Sequence, residues 1–239
     1  MPKIDVRRFS TRSELDGALA DRLERAIRAT ATASGGGPPV IMLSGGHTPL
    51  PAYREVARRR PPHANELTII YSDDRYVPAD SDASNYHATR PLIDALCLPD
   101  SQVLRIRTEL PLEEAARDYE RRLRTLLDSG ARLGLALLGI GPDGHTASLF
   151  LPEHLERSRG RLTIAVQRPD GMQGISVTPE FLKNVTDPLF AVAGSGKHDA
   201  IAAFIRQDPD LVAARAVAEC PHAELWIERE SERPSPASR

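Results

Sequence analysis

Residues 135–150 read LALLGIGPDGHTASLF, an apolar run ending in a turn that carries Asp143, Gly144 and His145, with Thr146 and Ser148 just behind. A histidine on a glycine-flanked turn, with a carboxylate two residues earlier, has the composition of a general base. An imidazole can accept a proton and give it back, and the neighbouring acid orients it and stabilises its charged form. The same residues also suit a histidine that caps a short helix, and the local pattern leaves both readings open. Gly139, Gly141 and Gly144 are spaced G-x-G-x-x-G, the dinucleotide fingerprint. That fingerprint needs its third glycine inside a long helix and an acid at the end of the next strand. Here Pro142 occupies the turn, Pro152 limits any helix from Thr146 to little more than two turns, and no acid ends the run near residue 166. The spacing alone is weak evidence for a nucleotide.

Three further segments carry groups suited to an anion. In VIMLSGGHTPLPAYREVA, residues 40–57, a strand runs into Ser44, Gly45, Gly46, His47 and Thr48, and Pro49 opens a helix. Backbone N–H groups and hydroxyls at a helix N-terminus favour phosphate or carboxylate. A tight strand-to-helix turn whose glycines only relieve crowding fits equally well. In YSDDRYVPADSDASNYH, residues 71–87, Asp73, Asp74 and Arg75 follow a strand end, where ligands gather in parallel sheets. A solvated ion pair is the plainer reading of that trio. Ser84 and Asn85 mark the cap of a helix running to Ala95. In FAVAGSGKHDAIAAF, residues 190–204, a P-loop would need glycine at Ala191 and a hydroxyl at His198, so that motif is absent. Lys197 still stands at a strand-to-helix turn, as a second phosphate ligand or a surface residue. It is notable because only Lys3 and Lys183 accompany it as lysines among 31 basic residues.

The elements that must position these groups are short apolar runs, each followed by a helical pattern, the signature of βα units and a mostly parallel sheet. Strands are expected near 4–9, 39–43, 67–72, 133–139, 161–166, 173–178, 188–193 and 223–228. In PLEEAARDYERRLRTLLD, residues 111–128, Leu112, Ala115, Tyr119, Leu123, Leu126 and Leu127 share one face, with acids in the first turn. SGGGPP at 34–39 and RRRPP at 58–62 read as connections between elements. The expectation is one α/β domain over 1–229, with 230–239 a flexible tail.

Whole-chain properties narrow the function. A formal charge of −2 and 5% aromatic residues give no footprint for nucleic acid or an anionic membrane. There is no apolar run long enough for a span or signal segment, so a cytoplasmic protein is expected. Cys97 and Cys220 are too few for a disulfide framework and are expected to be buried thiols. The seven histidines show no metal-ligand spacing, so neither metal nor cofactor is expected. With no G-x-S-x-G elbow, hydrolysis would use water as the nucleophile.

Taken in order, SGGHTP, DDRYVPADSDASNYH, GIGPDGHTASLF and GSGKHDAI resemble the 6-phosphogluconolactonase family over about residues 37–205. The resemblance implies a three-layer Rossmann-like α/β fold, with helices on both faces of the sheet, shared with glucosamine-6-phosphate deaminases and ribose-5-phosphate isomerases. It implies hydrolysis of 6-phospho-D-glucono-1,5-lactone in the pentose phosphate pathway by a monomer or weak homodimer whose partner is that small molecule. His145 then matches the general base, Asp143 its acid, and Arg75, beside Asp73, the arginine that meets substrate. The turn Ser44, Gly45, Gly46 and Thr48, with Lys197, matches the phosphate site. Departures are His47 for a usual serine, Asp74 for a usual glutamate, and Gly174 where an arginine is common. Arg168, six residues upstream, would replace that arginine only if its loop folds back. The deaminases of this superfamily carry an acid five residues after the histidine, and Phe150 stands there instead. A sugar-phosphate sensor without catalysis is the other alternative.

Overall fold

The computed structural model describes residues 2–32 and 37–232. The strands are β1 (Lys3–Phe9), β2 (Pro39–Leu43), β3 (Thr68–Tyr71), β4 (Asp73–Arg75), β5 (Val103–Leu104), β6 (Arg132–Leu138), β7 (Thr163–Gln167), β8 (Gln173–Val177), β9 (Asp187–Val192) and β10 (His222–Glu228). The helices are α1 (Arg12–Thr32), α2 (Leu50–Arg59), α3 (Asn85–Ala95), α4 (Leu112–Asp128), α5 (Pro152–Arg157), α6 (Pro179–Leu182), α7 (His198–Ile205) and α8 (Val212–Ala216).

Seven strands form one sheet in the order β1-β10-β9-β6-β2-β3-β5, with every pairing parallel. Past their first residues its central strands β9, β6 and β2 are apolar, because both faces are covered. In β2, Ile41 and Leu43 pack with α1, α2 and α3, while Val40 and Met42 face α4, α7 and α8. The amphipathic pattern of α4 holds, with Ala115, Tyr119 and Leu123 buried and Leu112, Leu126 and Leu127 flanking them.

The expected strands at 161–166 and 173–178 exist, but as an antiparallel hairpin, β7–β8, outside the large sheet. Only residues 168–172 separate them, far short of the dozen or more that a parallel crossover needs. β8 also pairs antiparallel with β4, in the register Asp73↔Ser176 and Arg75↔Gly174. This three-stranded sheet packs its Ile164, Val166, Ile175 and Val177 into the core on the α4 face.

Three smaller expectations are corrected. Cys97 is exposed, in a left-handed residue (φ 53°) just past α3; Cys220 is buried, which pushes its thiol up to about 11. No helix starts at Thr146; that residue bridges to Leu149 across a turn, and α5 begins only at Pro152. The first three residues of the expected tail, 230–232, belong to a 3-10 turn, Arg229–Glu232, in which Glu232 binds Arg8 through its carboxylate and His198 through its carbonyl. Residues 233–239, like 34–36 of the SGGGPP connection, lie outside the described residues.

Candidate active site

The four sequence segments meet because their strands are neighbours. β9, β6, β2 and β3 lie side by side, and the turn after each opens at the C-terminal edge of the sheet. There they enclose a pocket of about 230 Å³, whose wall includes Ser44, Gly45, Gly46, Thr48, Asp73, Arg75, His145, Arg168 and Lys197. Of the catalytic and substrate-binding candidates named from the sequence, Asp143 alone is outside the wall, standing behind His145.

His145 Nδ1 lies 2.5 Å from Asp143 Oδ1, which also accepts the His145 backbone N–H at 3.3 Å. A carboxylate there accepts a hydrogen bond from Nδ1–H, which favours the tautomer whose basic nitrogen is Nε2. The turn is tight around the ring: Gly141 N–H donates to the His145 carbonyl, and a β-carbon on Gly141 would fall on the imidazole. Gly144 adopts φ +81° within the turn, which rules out the helical third glycine of a dinucleotide site. Phe150, 8% exposed, packs its ring 4.4 Å from that of His145.

The turn after β2 is braced from two sides. The buried Tyr53 hydroxyl accepts from Ser44 N–H at 3.2 Å and donates to Ser44 C=O at 3.0 Å. Arg12, from the first turn of α1, ties down the carbonyls of His47 (2.9 Å) and Thr48 (3.2 Å). With these groups engaged, the N–H groups of Gly45, Gly46, His47 and Thr48 donate to no acceptor among the described residues. They form an N–H cradle at the start of α2, the geometry that receives an anion. Lys197 caps α7 on the opposite side and has no carboxylate partner among the described residues. Burial, with Arg12 nearby, lowers the pKa of its ammonium, and an anion in the pocket would oppose both effects.

The third group of residues is a buried polar network. Asp73 accepts from Ser72 Oγ and Ser148 Oγ, each at 2.7 Å, so both its oxygens are engaged. Asp74 accepts from the N–H groups of Arg75, Asn85 and Tyr86 and from Ser84 Oγ. Burial nonetheless dominates and pushes its carboxyl up to about 6. Asn85 sends Nδ2 to the Asp73 carbonyl (2.8 Å) and receives Arg75 Nη1 on Oδ1 (2.5 Å). Arg75 Nε is buried without a hydrogen-bond partner among the described residues. Nη1 of that guanidinium is thus held by protein, and Arg75 lines the pocket.

Arg168 does fold back. Its guanidinium donates to Ser148 Oγ at 2.8 Å, lies 5.0 Å from the Phe150 ring centroid and is only 10% exposed. Tyr53, Arg12 and Asn85 are the site residues that sequence reasoning missed; only Asn85, in SDASNYH, carried any signal, and it read as part of a helix cap. A larger cleft of about 1060 Å³ lies beyond α3, but three of its four arginines, Arg90, Arg105 and Arg122, already bind acids at 3.2 Å or less.

Residues 10–226 match the family described as glucosamine-6-phosphate isomerases/6-phosphogluconolactonase. The 6-phosphogluconolactonase of Thermotoga maritima is 34% identical over 173 residues, 71% of this chain and 76% of that protein. The human 6-phosphogluconolactonase is 36% identical over 200 residues, 79% of this chain and 76% of that protein. The rat enzyme of the same name is 32% identical over 92% of this chain and 88% of its own. The crystal structure of the Thermotoga maritima protein superposes with a TM-score of 0.81 at 26% identity, covering 95% of this chain and all of that one. A monomeric glucosamine-6-phosphate deaminase shares the fold, with a TM-score of 0.78 at 18% identity. This chain belongs to the glucosamine-6-phosphate isomerase/6-phosphogluconolactonase family.

Proposed function

We propose that this protein is a 6-phosphogluconolactonase, hydrolysing 6-phospho-D-glucono-1,5-lactone to 6-phosphogluconate by general-base activation of water. The observation that carries this reading is the Asp143–His145 pair, in one pocket with an N–H cradle and a lysine, where Nε2, the cradle and the lysine have no hydrogen-bond or acid partner among the described residues. The cradle and Lys197 hold the phosphate, and Arg75 and Arg168 complete the cationic wall. Fixing the phosphate places the lactone carbonyl near the base, and this positioning makes attack effectively intramolecular.

In the first step Nε2 of His145 removes a proton from water as the water oxygen bonds to the lactone carbon. The carbonyl becomes an oxyanion, and the imidazolium is stabilised by Asp143. As the oxyanion collapses, the bond to the ring oxygen breaks and His145 returns its proton to that oxygen. One base suffices, and no nucleophilic side chain is needed. Asp73, its oxygens held by two serine hydroxyls, acts as a fixed countercharge beside Arg168 in the pocket wall.

Phe150 separates this chemistry from that of the deaminases. An amine-releasing isomerisation moves protons at carbon and needs a further acid, and the side chain facing His145 is an apolar ring. The test is to supply the purified protein with 6-phosphogluconolactone and, separately, glucosamine 6-phosphate. The expected result is lactone hydrolysis above the spontaneous rate and no ammonia release; ammonia release without lactone hydrolysis would reverse the assignment.

A further inference from the structure

Asp170 stands outside the pocket wall, on the turn joining β7 to β8, and its side chain is 41% exposed. Its carboxylate nonetheless takes one whole edge of Arg168: Nε donates to Oδ2 at 3.1 Å and Nη2 donates to the same oxygen at 3.0 Å. The turn in turn fixes the acid. Asp170 Oδ1 accepts from Met172 N–H at 3.1 Å, and Gly171, at φ +84°, closes back on the Arg168 carbonyl.

The guanidinium is thus held by Asp170 on its outer edge, by Ser148 at Nη1 and by the Phe150 ring against its face. These contacts leave a hydrogen on each terminal nitrogen for the pocket that Arg168 lines. An arginine pinned on one edge loses little further freedom when it binds an anion with the other.

We propose that Asp170 is a positioning residue that aims Arg168, from behind, at the phosphate of the bound sugar lactone. The inference rests on Arg168 being a phosphate ligand, and the experiment separates the two. Steady-state kinetics are measured on Asp170→Asn, Asp170→Ala, Arg168→Ala and the Asp170→Asn/Arg168→Ala pair. The substrates are 6-phosphogluconolactone and unphosphorylated gluconolactone. Both Asp170 variants should raise KM for the phosphorylated lactone roughly two- to fivefold, the range for a partly exposed ion pair. They should spare kcat and leave the unphosphorylated lactone unaffected. In the Arg168→Ala background, Asp170→Asn should add nothing, the signature of two residues acting through one contact. An unchanged or lowered KM in Asp170→Asn, or the same rise with Arg168 already absent, would overturn the proposal while leaving Arg168 in place. A wild-type KM in Arg168→Ala would overturn both.

Discussion

The side chain of Arg168 occupies the space that the absent side chain of Gly174 leaves: a β-carbon on Gly174 would sit 3.2 Å from Arg168 Cδ and 3.2 Å from the Asp74 carbonyl oxygen. The two residues lie on opposite sides of the β7–β8 turn, and it is Arg168 that lines the pocket. Gly174→Ala should displace the Arg168 stem and raise KM for the phosphorylated lactone with kcat largely retained. Contacts at that distance are tighter than most and the glycine is buried, so a stability loss of about 1–3 kcal/mol is expected alongside. Wild-type KM in this variant would show that the guanidinium position does not depend on Gly174.

Asp143→Asn should leave the turn folded but exchange the charged acceptor that favours the Nδ1–H tautomer and stabilises the imidazolium of His145 for a neutral amide, which can also present its NH2 to the ring. Since the side chain of Asp143 is half exposed, a fold collapse is not expected. Loss of an orienting acid beside a histidine base lowers kcat by about 10- to 10⁴-fold, and substrate binding should be spared. Stopped-flow lactone hydrolysis checks this; a kcat unchanged from wild type would remove Asp143 from the mechanism.

Gly45→Ala should be far more damaging than its size suggests. A β-carbon there would fall on the Asn85 amide, and Asn85 is the group that holds Arg75. Because Asn85 is 2% exposed and bonded at both ends of its amide, it cannot move aside without leaving buried groups unpaired. A stability loss of about 2–4 kcal/mol is expected, with KM rising strongly in whatever protein folds. Urea unfolding and kinetics of the same preparation would show whether both effects occur.

Asp74 supplies a pH dependence of stability. Its carboxyl titrates at about 6 in the fold, against about 3.9 in an unfolded chain, chiefly because it is buried. The folded state therefore holds the proton more tightly, and this contribution is present below pH 4 and lost as pH rises through 6. A displacement of two units corresponds to about 3 kcal/mol. In urea melts at several pH values, the stability of wild type relative to Asp74→Asn should fall by about that amount between pH 4 and pH 7. A difference that is constant, or grows with pH, would contradict this.

Much of the site was legible because its chemistry lies in turns that follow short apolar runs. SGGH after β2, DDR after β3, DGH after β6 and GSGK after β9 each mark a strand end, and adjacent parallel strands bring such ends together. Residues acting through tertiary neighbours left no such mark. Arg12 lies 35 residues before the carbonyl of His47 that it holds, and Tyr53 reads in sequence as an ordinary core residue of an amphipathic helix. Asn85 looked like part of a helix cap because its contacts to Arg75 and Asp73 exist only once β4 has formed. The β7–β8 hairpin was hidden for another reason: two apolar runs suggested two more strands of the parallel sheet, although the five residues between them were already too few for a crossover.

The most direct test of the account is the rate of 6-phosphogluconolactone hydrolysis by wild-type protein and by His145→Ala, each with the spontaneous rate subtracted. The account predicts clear acceleration by wild type and a kcat lower by about 10²- to 10⁴-fold in the variant, the usual share of a positioned base. A variant that hydrolyses the lactone as fast as wild type would contradict the assignment of His145 as the base.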